Sequence, residues 1–173
     1  MSASRTALLI CLKGVGFALV YVLAIVVLAL DQWTKWLVRT HIALGHSIPV
    51  FPPALYITYT QNSGAAWSIL PNQQWLFIII ALVVIGVVII VERKMRTAHR
   101  WLKIPLGLLV GGALGNLVDR VHMHTVTDFI EVRIIHYPIF NVADSAIVVA
   151  VILLVLDSFR TKNRSSITAE GDH

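Results

Sequence analysis

The chain contains one cysteine, Cys11, so it can form neither an internal disulfide nor a multi-cysteine metal site. Charge is scarce as well: 13% of residues are charged, against about 25% in an ordinary soluble domain. Several hydrolase signatures are missing. There is no HExxH, the helix-borne pattern of zinc proteases. There is no GxSxG, and Ser63-Gly64 has no evident partner base, which disfavours a serine hydrolase. No glycine-rich phosphate loop precedes a helix. His122-x-His124 could begin a metal site, but no cysteine or carboxylate at matching spacing completes it. No internal repeat and no linker divides the 173 residues, so a single domain is expected.

What the chain has in abundance is apolar sequence. Hydrophobic residues make up 57% of it and the mean hydropathy is +0.79, whereas a soluble domain is about 45–50% apolar. Four apolar runs stand out, about Val15–Leu30, Trp75–Val91, Leu102–Val118 and Val142–Phe159. Each is near the roughly 17–25 residues that cross hydrocarbon. With their flanks they predict spans at about 12–33, 72–92, 101–120 and 140–160. A cleaved signal peptide is the alternative for the first run. It exceeds a usual apolar signal segment, however, and Asp31-Gln-Trp-Thr-Lys35 follows it in place of a small-x-small cleavage site. An uncleaved span is the reading adopted.

The basic residues cluster neither on one helix face nor in an aromatic-studded strand, so nucleic acid is excluded as a partner. They sit at the ends of the apolar runs. Of the 14 lysines and arginines, only Lys35, Arg39, Arg120 and Arg133 fall on the side opposite the termini. Cytoplasmic loops carry the excess of basic residues, which predicts that both termini, and a polar tail over 161–173, lie in the cytoplasm. The tail is rich in Ser and Thr and is expected to lack regular structure. Trp33, Trp36, Trp67, Trp75, Tyr56, Tyr59 and Tyr137 are read as an aromatic belt on the outer side, with Trp101 marking the inner face.

Two strands are predicted outside the membrane. Leu55–Thr60 is β-branched and aromatic, and Pro49, Pro52 and Pro53 break any helix before it. Within Thr125–Ile135, Val126, Asp128, Ile130, Val132 and Ile134 alternate with Thr127, Phe129, Glu131 and Arg133, a period of two. Together they suit a small sheet over a helix bundle. In the third span Gly107, Gly111 and Gly115 form a small-residue stripe for close helix packing.

This topology gathers Asp31, Lys35, Asn62, Asn116, Asp119, Arg120, Asp128, Asn141 and Asp144 in one layer at the outer boundary. Carboxylates are expensive near hydrocarbon and mark functional sites. Asp128 and Asp144 flank the entry to the fourth span. Their plain structural alternative is an ion pair with Arg120 or Arg133. If they face each other, they share a proton. The ionised one then draws a proton from water while the protonated one polarises a carbonyl. This is aspartic-protease chemistry and it needs no metal or cofactor. A small transporter or channel subunit is the competing reading. Such proteins place ionisable residues near the midplane, at an interface of repeats.

The chain resembles the bacterial lipoprotein signal peptidase (signal peptidase II) family. The motifs that carry the resemblance are Asp31-Gln32-x-Thr34-Lys35, Asn62-x-Gly64-Ala65-Ala66-Trp67-Ser68, Gly111-Gly112-Ala113-Leu114-Gly115-Asn116-Leu117-Val118-Asp119-Arg120, Val126-x-Asp128-Phe129 and Phe140-Asn141-Val142-Ala143-Asp144-Ser145. The resemblance implies a mainly α polytopic membrane protein of four transmembrane helices with a small periplasmic β-cradle, in the bacterial inner membrane, with its active site near the periplasmic face. It implies an aspartic endopeptidase that cuts diacylglyceryl-modified prolipoproteins just before the lipidated cysteine. Asp128 and Asp144 match the catalytic dyad. Asp31, Asn62, Asn116, Arg120 and Asn141 match the residues that orient the dyad or hold substrate. Asp119 is read as an anchor for Arg120. Expected partners are lipoprotein signal peptides, membrane lipids and a cyclic-peptide inhibitor. Nothing in the sequence demands more than a monomer.

Overall fold

The structure, a computed structural model, describes residues 3–64, 69–94, 100–135 and 137–170, with side chains described over 18–64, 69–94, 101–135 and 137–160. Four helices, α1 (Ala3–His41), α2 (Gln74–Lys94), α3 (Arg100–Met123) and α4 (Val142–Glu170), carry a three-stranded sheet of β1 (Ser47–Phe51), β2 (Leu55–Asn62) and β3 (Val126–Val132). The segments long and apolar enough to cross a membrane are Ala18–His41, Gln74–Lys94, Trp101–Met123 and Val142–Arg160. Each of the four expected spans has such a helix, and the first runs to His41, beyond its expected end near Trp33. The side chains of Cys11 and Trp67 lie outside the described residues, as do Ala65, Ala66 and Ser68.

Helix α3 is the centre of the bundle and packs against α1, α2 and α4. The glycine stripe explains how. A Cβ on Gly107 would stand 2.8 Å from the Leu23 Cβ, and one on Gly111 would stand 2.7 Å from the Val27 Cβ. Real side chains avoid such contacts, so the stripe lets the α1 and α3 backbones touch. Gly112, outside the predicted stripe, does the same on the opposite face, where its Cβ would meet the Ala143 carbonyl oxygen at 2.5 Å. Val20, Ala24, Val88, Leu106 and Val110 fill the resulting α1–α2–α3 seam. Outward, α2 and α4 present Ile79, Ile80, Val83, Val87, Val148, Val151, Ile152 and Val155, all exposed. In water that surface would be a large apolar patch; facing lipid it is what a spanning helix requires.

The sheet lies in order β1-β2-β3, antiparallel throughout. Strands β2 and β3 are the two predicted from the sequence. Strand β3 stops at Val132, and a 3-10 turn takes Arg133–Ile135. Strand β1 was not anticipated, because Pro49 lies within it. It is an edge strand, where a missing N–H is tolerated. Between Ile57 and Thr60 the β2–β3 register slips by one residue, a bulge after which Thr60 pairs with Asp128. Tyr59, read from sequence as part of the aromatic belt, is instead buried against Val38 and Phe129. That cluster fastens the sheet to the C-terminal end of α1. Trp33, Trp36, Trp75 and Trp101 are exposed at helix ends as expected. The tail expected to lack structure continues as helix to Glu170.

Candidate active site

Helix α4 begins with a reciprocal cap. The Asn141 Oδ1 accepts the Asp144 N–H at 2.9 Å, and Asp144 Oδ2 accepts the Asn141 N–H at 3.2 Å. This is the capping-box geometry, with the acidic residue three positions after the cap. It fixes the Asp144 carboxylate at the mouth of the helix. Asp128 arrives from β3 and is held from two sides. Asn62 Nδ2, from the end of β2, donates to one oxygen at 3.1 Å. Asn141 Nδ2 donates to the other at 2.7 Å. One asparagine thus binds both aspartates.

Asn116 on α3 completes the bridge: its Nδ2 donates to Asp144 Oδ1 at 2.7 Å, and its Oδ1 accepts from Asn141 Nδ2 at 3.2 Å. Arg120, one turn on, donates to the Gly64 carbonyl at 3.3 Å and lies over the Phe77 ring at 4.8 Å. Among the described residues its buried Nε has no partner. Asn62, Asn116, Arg120, Asp128 and Asp144 all line one cavity of about 230 Å³ between the sheet and the bundle. An apolar groove of about 370 Å³ along α4, walled by Val132, Ile135, Val148 and Val149, also reaches Asp144. Of the seven expected site residues, the structure brings five to the cavity. Asn141 lies just behind it, fully buried. Asp31 sits deeper, where its Oδ1 accepts the Ala143 N–H at 2.9 Å.

Among the described residues neither aspartate forms the ion pair with Arg120 or Arg133 that was the structural alternative. Arg133 pairs with Glu131 at 2.8 Å and stacks on Tyr56. Asp119 differs from its expected role. It does not hold Arg120; it contacts Lys35 at 3.2 Å and Arg39 at 3.5 Å, and accepts the Thr127 N–H at 2.9 Å. Adjacent helix residues project to different faces, so sequence neighbours are poor partners. Lys35 was visible among the polar residues but was not assigned to the site. Its spacing of four from Asp31 was the available signal, and the pair closes at 2.8 Å with both side chains fully buried.

Burial, reinforced by the Asp144 charge, pushes the Asp128 carboxyl up to about 7 from its ordinary 3.8, against the lowering effect of the Asn62 and Asn141 donors. A folded-state pKa above the unfolded one means that folded protein keeps a proton the unfolded chain has lost. The contribution of Asp128 to stability is therefore fully present below about pH 4 and is lost as pH rises to about 7. The loss is about 4 kcal/mol, at about 1.4 kcal/mol per pKa unit. Thermal unfolding in detergent between pH 4 and 8 is expected to show this decline in the parent and a flattened profile in Asp128→Asn. An equal decline in the variant would place the titration elsewhere.

Comparison with known proteins agrees with this architecture. A family model described as signal peptidase (SPase) II matches residues 23–160. A lipoprotein signal peptidase of Geobacillus thermodenitrificans (strain NG80-2) is 48% identical over 148 residues, 84% of this chain and 92% of its own. That of Anoxybacillus flavithermus (strain DSM 21510 / WK1) is 42% identical over 158 residues, 90% of this chain and 94% of its own. A bacterial membrane enzyme solved by the in meso method at 2.3 Å resolution superposes with a TM-score of 0.79 at 34% identity, covering 84% of this chain and 90% of that one.

Proposed function

The chain belongs to the signal peptidase II family, and from that membership we propose that it removes the signal peptide from diacylglyceryl-modified prolipoproteins by water-mediated hydrolysis at an Asp128–Asp144 dyad. The observation that carries the mechanism is the shared clamp: Asn141 bonds both carboxylates, one through its side-chain nitrogen and the other through its cap. Near neutral pH the pair retains a proton. The ionised member takes a proton from water as the water oxygen bonds to the scissile carbonyl carbon. The protonated member donates to the carbonyl oxygen. Collapse of the tetrahedral species breaks the C–N bond, and a proton passes to the leaving nitrogen. Arg120, whose Nε has no partner among the described residues and which lines the cavity, holds the substrate backbone, together with Asn62. The apolar groove that reaches Asp144 supports a lipid-bearing substrate.

The distribution of charge supports a sidedness for the site. By the order of the apolar runs along the sequence, ten of the 14 basic residues fall on the side of the termini, which supports cytoplasmic termini and a dyad at the periplasmic boundary of the inner membrane. There the scissile bond meets periplasmic water while the signal peptide stays in lipid. The whole of 1–173 acts as a single membrane-embedded peptidase domain.

The test is cleavage of a purified diacylglyceryl-prolipoprotein in detergent with no added metal. The expected product begins with the lipidated cysteine, and chelator leaves the rate unchanged. Strong inhibition by chelator would replace the dyad with metal chemistry, and equal cleavage of the unlipidated precursor would remove the lipid from the specificity.

A further inference from the structure

Lys35 is fully buried in α1, although an ammonium in such a place is costly unless every donor is used. An ammonium has three N–H donors. Lys35 directs them to Asp31 at 2.8 Å, Asn116 at 3.1 Å and Asp119 at 3.2 Å. Each acceptor then binds at or next to one of the two aspartates. Asp31 accepts the N–H of Ala143, the residue before Asp144. Asp119 accepts the N–H of Thr127, the residue before Asp128. Asn116 donates its side-chain nitrogen to Asp144 itself.

We propose that Lys35 is a positioning residue: it sets the spacing of the two aspartates through their preceding backbone amides and keeps the Asn116 amide turned so that its nitrogen faces Asp144. The amide argument is one of donor and acceptor parity. Lysine has no acceptor, so Asn116 must turn its oxygen toward Lys35, and its NH₂ is left for the carboxylate. Without the ammonium, the Asn116 orientation rests on Asn141 and on Asp144 itself, and the cation that demands its oxygen is gone. Helix α1 thereby acts on Asp128 and Asp144 without touching substrate.

The charges around the hub are balanced. Asp31 faces Lys35 from its own helix and Asp119 faces it from α3, with Arg39 against the far side of Asp119 at 3.5 Å. Around the two aspartates, Arg120 from α3 shares the cavity. Lys35 also favours the ionised form of Asp128.

This role rests on the peptidase reading above, and the experiment separates the two. Lys35→Met alone leaves two buried carboxylates facing one cation, so the working variant is Lys35→Met with Asp31→Asn. It restores the balance, and the new side-chain oxygen still accepts the Ala143 N–H. Steady-state cleavage, a pH–rate profile and thermal unfolding are measured on parent and double variant. The expected result is a folded protein with kcat lowered at least about tenfold and KM within about twofold. Its acid limb moves to higher pH, because the pair has lost a cation and a fixed donor. If the parent cleaves and the folded double variant matches it in kcat and pH profile, the positioning role is wrong while the peptidase reading stands. A parent that does not cleave overturns the peptidase reading instead. Hydrogen exchange on the unaltered protein gives a second test that needs no variant. The Ala143 and Thr127 amides are expected among the slowest to exchange, and rapid exchange at either overturns the role.

Discussion

Asp128→Asn and Asp144→Asn each lower turnover of a diacylglyceryl-prolipoprotein by about 10²- to 10⁴-fold, the scale on which general acid–base groups act, and both variants remain folded. The amide is close in shape to the carboxyl but neither takes a proton from water nor gives one to a carbonyl. At position 128 the two donors, Asn62 and Asn141, would meet one oxygen where they now meet two. One of them must turn, a local adjustment. The burial cost of an ionised Asp128 disappears at the same time, so this variant melts no lower than the parent at pH 8. At position 144 the cap keeps one of its two reciprocal bonds. Retention of near-normal turnover by either variant would end the dyad mechanism, because among the described residues no third carboxylate lines the cavity to replace the lost one.

Asn141→Ala is expected to lower kcat by about 10²-fold and to lower the melting temperature as well. Asn141 is fully buried and has two functions. As cap of α4 it contributes about 1 kcal/mol, the usual value of such a side chain. As donor to Asp128 it satisfies a buried oxygen whose desolvation otherwise costs about 1–3 kcal/mol. The catalytic loss comes from the second function. Without the clamp the two carboxylates are no longer held to a common group, and small misplacement of reacting groups is costly. Asn141→Ser separates the two functions. Its hydroxyl caps the helix but is too short to reach Asp128. Serine is therefore expected to recover most of the melting temperature and little of kcat. If serine recovers both, Asn141 serves the helix and not the dyad.

The spans were legible because hydrophobic length is a local property, and crossing hydrocarbon demands it of each segment separately. Strands β2 and β3 were legible because their pattern or composition is also local. Strand β1 was not, since Pro49 argues against a strand until its position at the sheet edge is known. Tyr59 looked interfacial by type and is core by location, because the register slip after Ile57 and the end of α1 enclose it. Gly112 lies outside the stripe of four-residue spacing and serves the opposite helix.

For the candidate active site, the chain by itself determined which residues are present and where they fall along the spans: two aspartates and their asparagines near the ends of apolar runs. Only the tertiary structure decided who holds whom. Asn141 joins Asp128 to Asp144, and Lys35 reaches both of their segments through Asp31, Asp119 and Asn116. That placement follows from the order of apolar and polar residues along one helix. Partnership depends on which faces meet when α1, α3, α4 and β3 close on one another, and that is set by glycine contacts and buried hydrogen bonds between residues many tens of positions apart.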